Sequence, residues 1–458
     1  MSRRVGSYTR VRKRYEHNDH AVVVIPRRRR RIDRGMTTTR PSAWHVYVHK
    51  LRAWTAIADL TLDPTGARGA WTRPYLILIV DVDAGTFLSR ARGDDERGNV
   101  FEREPTVTEV CEFVQDVIER PRALNSTLAG KTMEAGVIPR RVLVACRRTA
   151  DALRGEREKW DAHDGCAYVG PLRELLRERV PEIESVTFAP VPEGLIERVI
   201  RERVEPRMEA APRSAEEWGT RHLPGLKSGV DGFTDAFGKS LFGSAKAMFE
   251  SEITARVEQR RPMKVSYRLH LRDDVAMRLT AFVSFDGSRE EADFAFIVHK
   301  TLTQSQSAYE VSRGNTDVET GPQMGQTCAF ASALETPFED LDESELHDWP
   351  LVHYEGAIDN ALYPLFFKVS VASDNDHVEI ARPAIIELQA FEVAMRAIAR
   401  ACEDPSFTSN GDDVRASKGP WTFTVPTFAA KGEQESIDVE IEFPELEPMK
   451  PIDVESFL

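Results

Sequence analysis

The stretch "TRPYLILIVDVDAGTFLSRA", Thr72–Ala91, decides the fold of the first half of this 458-residue chain. Its run Tyr75–Val80 is apolar on both faces, which is typical of a central strand in a sheet that is covered on both sides. The segment Phe87–Arg92 alternates apolar or small residues with Ser and Arg, which predicts a strand nearer the sheet edge. We therefore expect two strands joined at Asp83-Ala84-Gly85-Thr86.

Asp81 and Asp83 lie at this junction and support two hypotheses. On a continuing strand both side chains would point the same way and could bind one divalent cation. A two-metal nuclease needs further carboxylates, because its metals must neutralise both the attacking and the leaving oxygen. After the predicted strand Arg141–Cys146 the chain offers Arg147 and Arg148 instead. We favour a hairpin turn, in which Asp accepts backbone N–H groups and Gly takes a positive φ, and keep Asp81 and Asp83 as alternative metal ligands.

The neighbouring segments predict a mixed sheet with helices. A strand covering Trp44–His49 precedes the central one, with His45 and His49 on one face, where we favour an exposed surface over a metal site. The periodicity predicts further strands at Asn99–Arg103, Arg141–Cys146 and Ser185–Phe188, and helices that begin at Thr106 or Thr108, at Thr149, at Pro171 and at Glu193. This order resembles the ribonuclease H-like arrangement, which implies an α/β domain with helices on both faces of the sheet.

A proline-containing stretch, Glu205–Trp218, is the predicted domain boundary. We expect a basic tail at 1–35, an α/β domain at 36–205, a linker at 206–213 and an α+β domain at 214–458. Beyond the boundary the pattern is helical over Ala215–Arg260. Three segments separated by turn residues then predict an antiparallel meander: Lys264–Leu271, Ala276–Gly287 and Ala292–Leu302.

The last third of the chain contains one strongly amphipathic helix, which begins at Pro383. A strand is predicted before it in "YPLFFKVSV", and "WTFTVPTF" and "SIDVEIEFP" predict two pairing strands after it. The region Thr303–Gly325 is polar and weakly periodic, so no element is predicted there. For the acidic stretch Glu335–Asp348 we favour a solvated loop over a docking site for a basic partner.

Several short motifs are rejected on spacing. "GFTDAFGKS" places Gly232 one residue too far from Gly238 for a phosphate-binding loop, and "NSTLAGKT" has Asn125 where the first glycine belongs. Ser373–Glu379 lacks the central glycine of a calcium loop, so a hairpin tip is expected. The five cysteines are scattered singly, which indicates neither a disulfide framework nor a zinc site.

The net charge of −13 is unevenly distributed. Residues 1–35 hold twelve Lys and Arg against three Asp and Glu, so the rest of the chain is strongly acidic. Because Met36 resembles a natural start, we favour a mis-assigned start or a disordered tail over a nucleic-acid-binding arm, and expect nucleic acid contact only through Arg27–Arg31. No apolar window reaches the ~18 residues of a membrane span, and a reducing cytoplasm fits the cysteine usage.

Three segments together resemble a group of uncharacterised bacterial proteins built from two domains of unknown function. They are "RPYLILIVDVDAGTFL", "PRRVLVACRRTADALRGE" and "YPLFFKVSVASDNDHVEIARPAIIELQAFEVAMRAIARA". Some members of that group carry a cysteine-rich SEC-C zinc motif, which this chain lacks. The resemblance implies a bacterial two-domain protein and transfers no catalytic residue.

We therefore expect a non-catalytic intracellular protein that binds a protein partner and needs no cofactor. The alternative hypothesis is a metal-dependent nuclease, or a degenerate ribonuclease H-like protein, centred on Asp81 and Asp83. The two differ in one property, because only the nuclease hypothesis predicts metal-dependent cleavage.

Overall fold

The computed structural model describes eighteen stretches of the chain: 38–56, 71–90, 99–123, 137–146, 166, 168–189, 198, 200–205, 220–251, 253–270, 276–289, 292–314, 325–355, 357, 359–371, 378–407, 419–428 and 434–446. The predicted tail at 1–35, the predicted linker at 206–213 and the predicted helix after Thr149 lie outside these residues. Everything below concerns the described stretches.

The N-terminal part is built on a seven-stranded mixed sheet. Its strand order is β7-β5-β4-β1-β8-β9, with β6 also paired to β4, while β2 and β3 form a separate pair. The strands are β1 (Thr38–Lys50), β2 (Thr55–Ala56), β3 (Trp71–Thr72), β4 (Tyr75–Asp81), β5 (Thr86–Arg90), β6 (Val100–Phe101), β7 (Pro121–Ala123), β8 (Val137–Cys146) and β9 (Ser185–Phe188).

Strand β1 is the centre of this sheet. It runs antiparallel to β4, with Trp44 opposite Asp81, and parallel to β8, with Trp44 opposite Val142. The prediction that Asn99–Arg103 completes a meander is wrong: β6 pairs with β4, and the far edge of β5 is taken by β7. Strand β6 has two residues, which are too few for sequence periodicity to predict the strand it pairs with.

Helices cover both faces of the sheet. On one face lie α1 (Val107–Glu119) and α2 (Val169–Arg179), whose buried residues join those of β1, β4 and β8 in one core. The short π-helical turn Ile200–Val204 packs on the other face through Ile200. Helix α1 begins as predicted at Thr106, where Thr106 and Glu109 form a capping box that satisfies backbone N–H groups at the helix start. The predicted mixed α/β character is therefore confirmed.

The C-terminal part is a curled, nine-stranded antiparallel sheet with helices. Its order is β14-β15-β13-β12-β11-β10-β18-β17, with β16 beside β15. The strands are β10 (Met263–His270), β11 (Ala276–Asp286), β12 (Ala295–His299), β13 (Gln326–Ala331), β14 (Val352–His353), β15 (Ala361–Val371), β16 (Val378–Ala381), β17 (Trp421–Phe428) and β18 (Gln434–Glu442). The predicted meander, β10 to β12, and the predicted β17–β18 pair are both confirmed.

Six helices accompany this sheet: α3 (Leu226–Gly229), α4 (Asp235–Glu250), α5 (Ile253–Arg256), α6 (Leu302–Ser312), α7 (Phe338–Leu346) and α8 (Ile385–Ala401). Helix α8 is the predicted amphipathic helix, and it packs with α4 in the largest hydrophobic core. No helix of the described stretches is both long and apolar enough to cross a membrane.

A buried polar network ties α4, α8 and β17 together. The carboxylate of Glu392 is fully buried and accepts hydrogen bonds from the Ser240 hydroxyl, from Thr427 Oγ1 at 3.0 Å and from the Phe428 backbone N–H at 3.2 Å. Arg396 donates to the Pro426 carbonyl oxygen at 2.6 Å. Because every buried polar group here has partners, the network stabilises the packing of the two helices.

Helix α6 corrects one prediction. It occupies the start of the polar region Thr303–Gly325, for which no element was predicted, and packs against β11 and β12. Its inward face contains polar Ser305 and Gln306 beside Ala308 and Tyr309. An inward face that is half polar gives little hydrophobic periodicity, which explains why the sequence pattern failed to indicate this helix.

Candidate functional site

The segment that contains Asp81 and Asp83 forms the turn of the β4–β5 hairpin. Asp81 pairs with Thr86 across the hairpin, and Gly85 has a φ of 60°. Asp81 Oδ1 accepts the Ala84 N–H at 3.0 Å, and Asp83 Oδ2 accepts the Ala43 N–H from β1 at 3.2 Å. The prediction of a hairpin turn is confirmed, and both carboxylates serve as acceptors for backbone donors.

The central strands bring no further acid to this turn. Asp81 lies opposite Trp44 of β1, and neither Thr38–Lys50 nor Val137–Cys146 contains an Asp or a Glu. Arg147, Arg148 and Asp151, which follow β8 in the sequence, are outside the described residues. Strand β1, which lies next to the hairpin, and strand β8 beyond it therefore contribute no carboxylate ligand for a cation.

His45 and His49 are not surface residues, which corrects our prediction. Both are at least 95% buried, because β1 is the central strand and both of its faces are covered. The Nε2 atom of His45 lies 3.0 Å from the Ala189 carbonyl oxygen, and burial lowers the pKa of His45 against the raising effect of that contact. The His49 ring stacks on Tyr47 at 5.4 Å. Both imidazoles are thus part of the packed interior.

The acidic stretch Glu335–Asp348 contains a packed helix, α7, and the prediction of a solvated loop is wrong. Its Asp340 is buried and forms an ion pair with buried Arg382, and it also accepts the Leu226 N–H at 2.7 Å. Burial raises the pKa of Asp340, while Arg382 and the Leu226 N–H act in the opposite direction. The helix is held inside the C-terminal part by this pair.

The opposite side of α7 meets basic residues of the N-terminal part. Asp342 accepts a hydrogen bond from Arg52 Nε at 2.9 Å and another from Arg73 Nη2 at 2.6 Å. Glu345 pairs with Lys50 Nζ at 3.0 Å. We call these five residues the acidic-helix interface. These acids bind cations of the same chain, 269 to 295 residues away in sequence.

Aromatic side chains complete the acidic-helix interface. The Trp54 and Phe338 rings stack at 5.9 Å with an interplanar angle of 29°. The guanidinium groups of Arg73 and Arg221 each lie 5.2 Å from the Phe338 ring centroid. Around them is a small apolar cluster: Trp54, Ala333, Leu341 and Tyr363, with Trp71, Leu334, Phe338, Leu351 and Ala361 packed against it. The contact thus combines matched charges with stacked rings.

One group of metal-capable side chains comes together among the described residues: Asp235, Glu343 and His347. Lys227 Nζ lies within it, 2.9 Å from Asp235 Oδ1 and 3.1 Å from Glu343 Oε2. Burial alone would lower the pKa of Lys227, but these two bonds raise it. The ammonium group supplies the cation that the carboxylates need, so we assign no metal to this cluster.

The cysteines and the rejected phosphate loop have packing roles. Cys111 and Cys328 are fully buried, and burial raises the pKa of the Cys111 thiol to about 11, which disfavours the nucleophilic thiolate. Gly238 lies inside α4, where an added Cβ would come within 2.4 Å of the Trp349 ring. The glycine of "FGKS" is therefore required by helix packing, and Asn125 of the other motif lies outside the described residues.

Comparison of the chain with protein-family models, with curated proteins and with solved structures finds no match. The resemblance to bacterial two-domain proteins accordingly stays a prediction. The acidic-helix interface combines three cation–carboxylate contacts with stacked rings between the N-terminal and C-terminal parts.

Proposed function

We propose that the protein is a non-catalytic binding protein whose N-terminal part is a degenerate ribonuclease H-like scaffold. The observation that carries the proposal is the use of its carboxylates. Asp81 and Asp83 accept backbone N–H groups, Asp340 binds Arg382, and Asp342 binds two arginines. A metal ion would have to compete with these donors for the carboxylate oxygens.

The ribonuclease H-like part of the proposal is supported by the sheet. Strand β1 lies at its centre, with antiparallel neighbours on one side and parallel neighbours on the other, and helices pack on both faces. A two-metal site on such a scaffold would need carboxylates from a strand next to β1 and from a later helix. Strand β8 contains none, which favours a scaffold that retains the fold without the cleavage chemistry.

A groove on the C-terminal sheet supports the binding role. Its volume of about 460 Å³ lies in the range of ligand sites, which is roughly 300–1,000 Å³. Strand register places Glu442, Lys264 and Phe282 side by side across three strands, and the Lys264–Glu442 pair measures 2.5 Å. The lining residues are Lys264, Phe282, Leu302, Gly419, Glu442, Phe443, Pro444 and Glu445. Four apolar side chains beside Lys264, Glu442 and Glu445 suit a peptide segment of mixed polarity.

A cleavage assay separates this function from the nuclease hypothesis. Labelled single- and double-stranded DNA and RNA are incubated with the full chain in Mg²⁺ or Mn²⁺, beside Asp81→Asn and Asp83→Asn variants. We expect intact substrate in every lane. Metal-dependent cleavage by the wild type that disappears in Asp81→Asn would establish the nuclease instead.

The binding role has its own test. Tagged full chain is used to capture proteins from a native lysate, and each candidate is then tagged and used to recover the chain in return. We expect at least one partner to be recovered in both directions, and to be weakened by Lys264→Met combined with Phe282→Ser. A chain that recovers nothing reciprocally contradicts the proposal.

A further inference from the structure

We propose that the N-terminal side of the acidic-helix interface is a binding site for single-stranded nucleic acid, and that α7 occupies it as an internal mimic. The inference goes beyond the proposed function, which assigns a peptide segment to the groove on the C-terminal sheet. It departs from the sequence-based expectation that only Arg27–Arg31 would contact nucleic acid. Helix α7 places two carboxylates and one aromatic ring against Lys50, Arg52 and Arg73.

The anionic groups of α7 are bound as phosphates are bound. Each oxygen of Asp342 receives its own guanidinium hydrogen bond, from Arg52 and from Arg73. Guanidinium groups donate charge-assisted hydrogen bonds to carboxylate and phosphate oxygens alike. Glu345 lies one helical turn further on and meets the ammonium of Lys50 at 3.0 Å. Three cations are thus already arranged around two successive anions.

The Phe338 ring is bound as a base is bound. It stacks on Trp54 at 5.9 Å, and the Arg73 guanidinium lies 5.2 Å from its centroid. Proteins that bind single strands combine a basic surface with aromatic rings on which bases stack, and Arg adds a cation–π contribution. Ring and charge recognition share Arg73, so a strand that replaced α7 would find both at adjoining positions.

The acids of α7 are divided between two sides, which allows α7 to leave as part of its own half. Asp340 is bound by Arg382, Glu339 by the Ser228 hydroxyl at 2.7 Å and Glu343 by Lys227 at 3.1 Å. Among the described residues, the α7 acids that pair with cations of the N-terminal part are Asp342 and Glu345. A competing polyanion therefore needs to replace two carboxylates and one ring and to separate Trp54 from its apolar cluster, while α7 keeps its contacts within the C-terminal part.

The overall charge of the chain also weakens binding at this site in the wild type. At −13, the chain repels polyanions over long distances, so binding depends on local contacts that α7 now occupies. Removing the two interface carboxylates should release the basic side chains and reduce the competition at once. The site is thus expected to be weak in the wild type and strong in a suitable variant.

The test uses the full chain with Asp342→Asn and Glu345→Gln combined, and a labelled oligo(dT) of about 15 nucleotides, near the upper site size for one single-strand module. Fluorescence anisotropy at fixed ionic strength measures affinity. We expect the double variant to bind at least tenfold more tightly than the wild type. Adding Trp54→Ala should remove about 5- to 150-fold of that affinity, the loss that corresponds to one stacked base.

A matched control removes the same charge from the same helix. Glu339→Gln with Glu343→Gln changes two acids that face the C-terminal part, so it should leave oligo(dT) affinity at the wild-type level. An equal gain in this control would mean that net charge alone governs binding, which overturns the inference. Heparin bound as tightly as oligo(dT), without dependence on Trp54, would overturn it as well.

Folding is checked by circular dichroism and a cooperative thermal transition. A folded double variant without oligo(dT) affinity overturns the inference. If the double variant does not fold, Glu345→Lys replaces it, because the Glu345–Lys50 pair is partly exposed. Tighter binding that depends on Trp54 would support the inference, and a folded variant without oligo(dT) affinity would overturn it. Gel analysis of the recovered oligonucleotide keeps the two proposals apart: bound and cleaved strands would support this site while overturning the non-catalytic function.

Discussion

Two acidic segments of this chain use the same functional group in different ways. In the β4–β5 turn, Asp81 and Asp83 accept backbone N–H groups, one of them three residues away in sequence. In α7, Asp340 and Asp342 accept hydrogen bonds from guanidinium groups that are 42 and 290 residues away. The turn acids bind neutral backbone donors, whereas the helix acids bind charged guanidinium groups. Removal should therefore cost more free energy of unfolding in α7 than in the turn.

The largest effect is expected for Asp340→Asn. The substitution leaves the buried Arg382 guanidinium without a counter-charge, which should lower the free energy of unfolding by about 3–5 kcal/mol. Urea unfolding followed by tryptophan fluorescence measures the change. Asp231→Asn, at an exposed position, is the control and should be neutral. If Asp340→Asn lowers the free energy of unfolding no more than the control does, the α7 acids are not the more stabilising ones.

His299, unlike the acids, is a buried ionisable group without a polar contact at Nε2: that atom has no hydrogen-bond partner among the described residues. Burial lowers the pKa of His299 from 6.5 to about 4. The unfolded chain therefore binds the proton first, and stability should fall as the pH drops from about 6.5 toward 4, by up to about 1.4 kcal/mol per pH unit. Urea titrations at several pH values check this. His299→Gln should flatten the slope, and His45, which acts in the same direction, should remain as background.

Asp342→Asn tests the acidic-helix interface itself. Weakened hydrogen bonds to Arg52 and Arg73 should lower the free energy of unfolding by about 1.5–3 kcal/mol, the usual value for bonds to charged groups. Calorimetry should then show the N-terminal and C-terminal parts unfolding at separate temperatures. A single, unshifted transition would mean that the apolar cluster alone joins the two parts.

Asp81→Asn should have a small effect. The amide oxygen can still accept the Ala84 N–H, so the loss is expected to be below about 1 kcal/mol, and Asp81→Ala should cost about 1 kcal/mol. Thermal unfolding with and without millimolar Mg²⁺ provides the second measurement. A bound ion would raise the midpoint in the wild type only. We expect the same midpoint in both conditions.

The smallest effect is expected for Glu345→Gln. Glu345 and Lys50 are 37% and 30% exposed, so their pair should contribute at most about 1 kcal/mol, and less at high salt. Urea unfolding at low and high ionic strength measures it. An effect as large as that of Asp342→Asn would show that exposure does not control the strength of these pairs.

Elements that depend on neighbouring residues could be predicted from the sequence. The strand at Ser185–Phe188 and the helix start at Thr106 follow from periodicity and capping, and the structure has both at the expected positions. The turn at Asp81 belongs to the same class, since its acceptor and its donor lie within four residues. Local chemistry determined these features, so local patterns predicted them.

Features that depend on distant partners could not be predicted in this way. Five acids in nine residues of α7 suggest solvation until Arg52, Arg73 and Arg382 are placed beside them. The strand pattern of β1 likewise predicts one covered face, whereas its central position covers both and buries His45. The sequence did contain one indication of this interface. "KLRAW" and "WTR" each place basic residues close to a tryptophan, a combination typical of a binding surface.

The separation between Arg52 and Asp342 has a consequence for synthesis. At about 5–20 residues per second, a ribosome needs roughly 15–60 s to make the 290 residues between them. Throughout that interval Trp54 and Trp71 on the nascent chain have no Phe338 or Leu341 to cover them. Exposed tryptophans beside arginines that still lack their carboxylate partners are a target for holdase chaperones. Depletion of those chaperones should therefore cause loss of the nascent chain before its last third is translated, and so lower the yield of this protein.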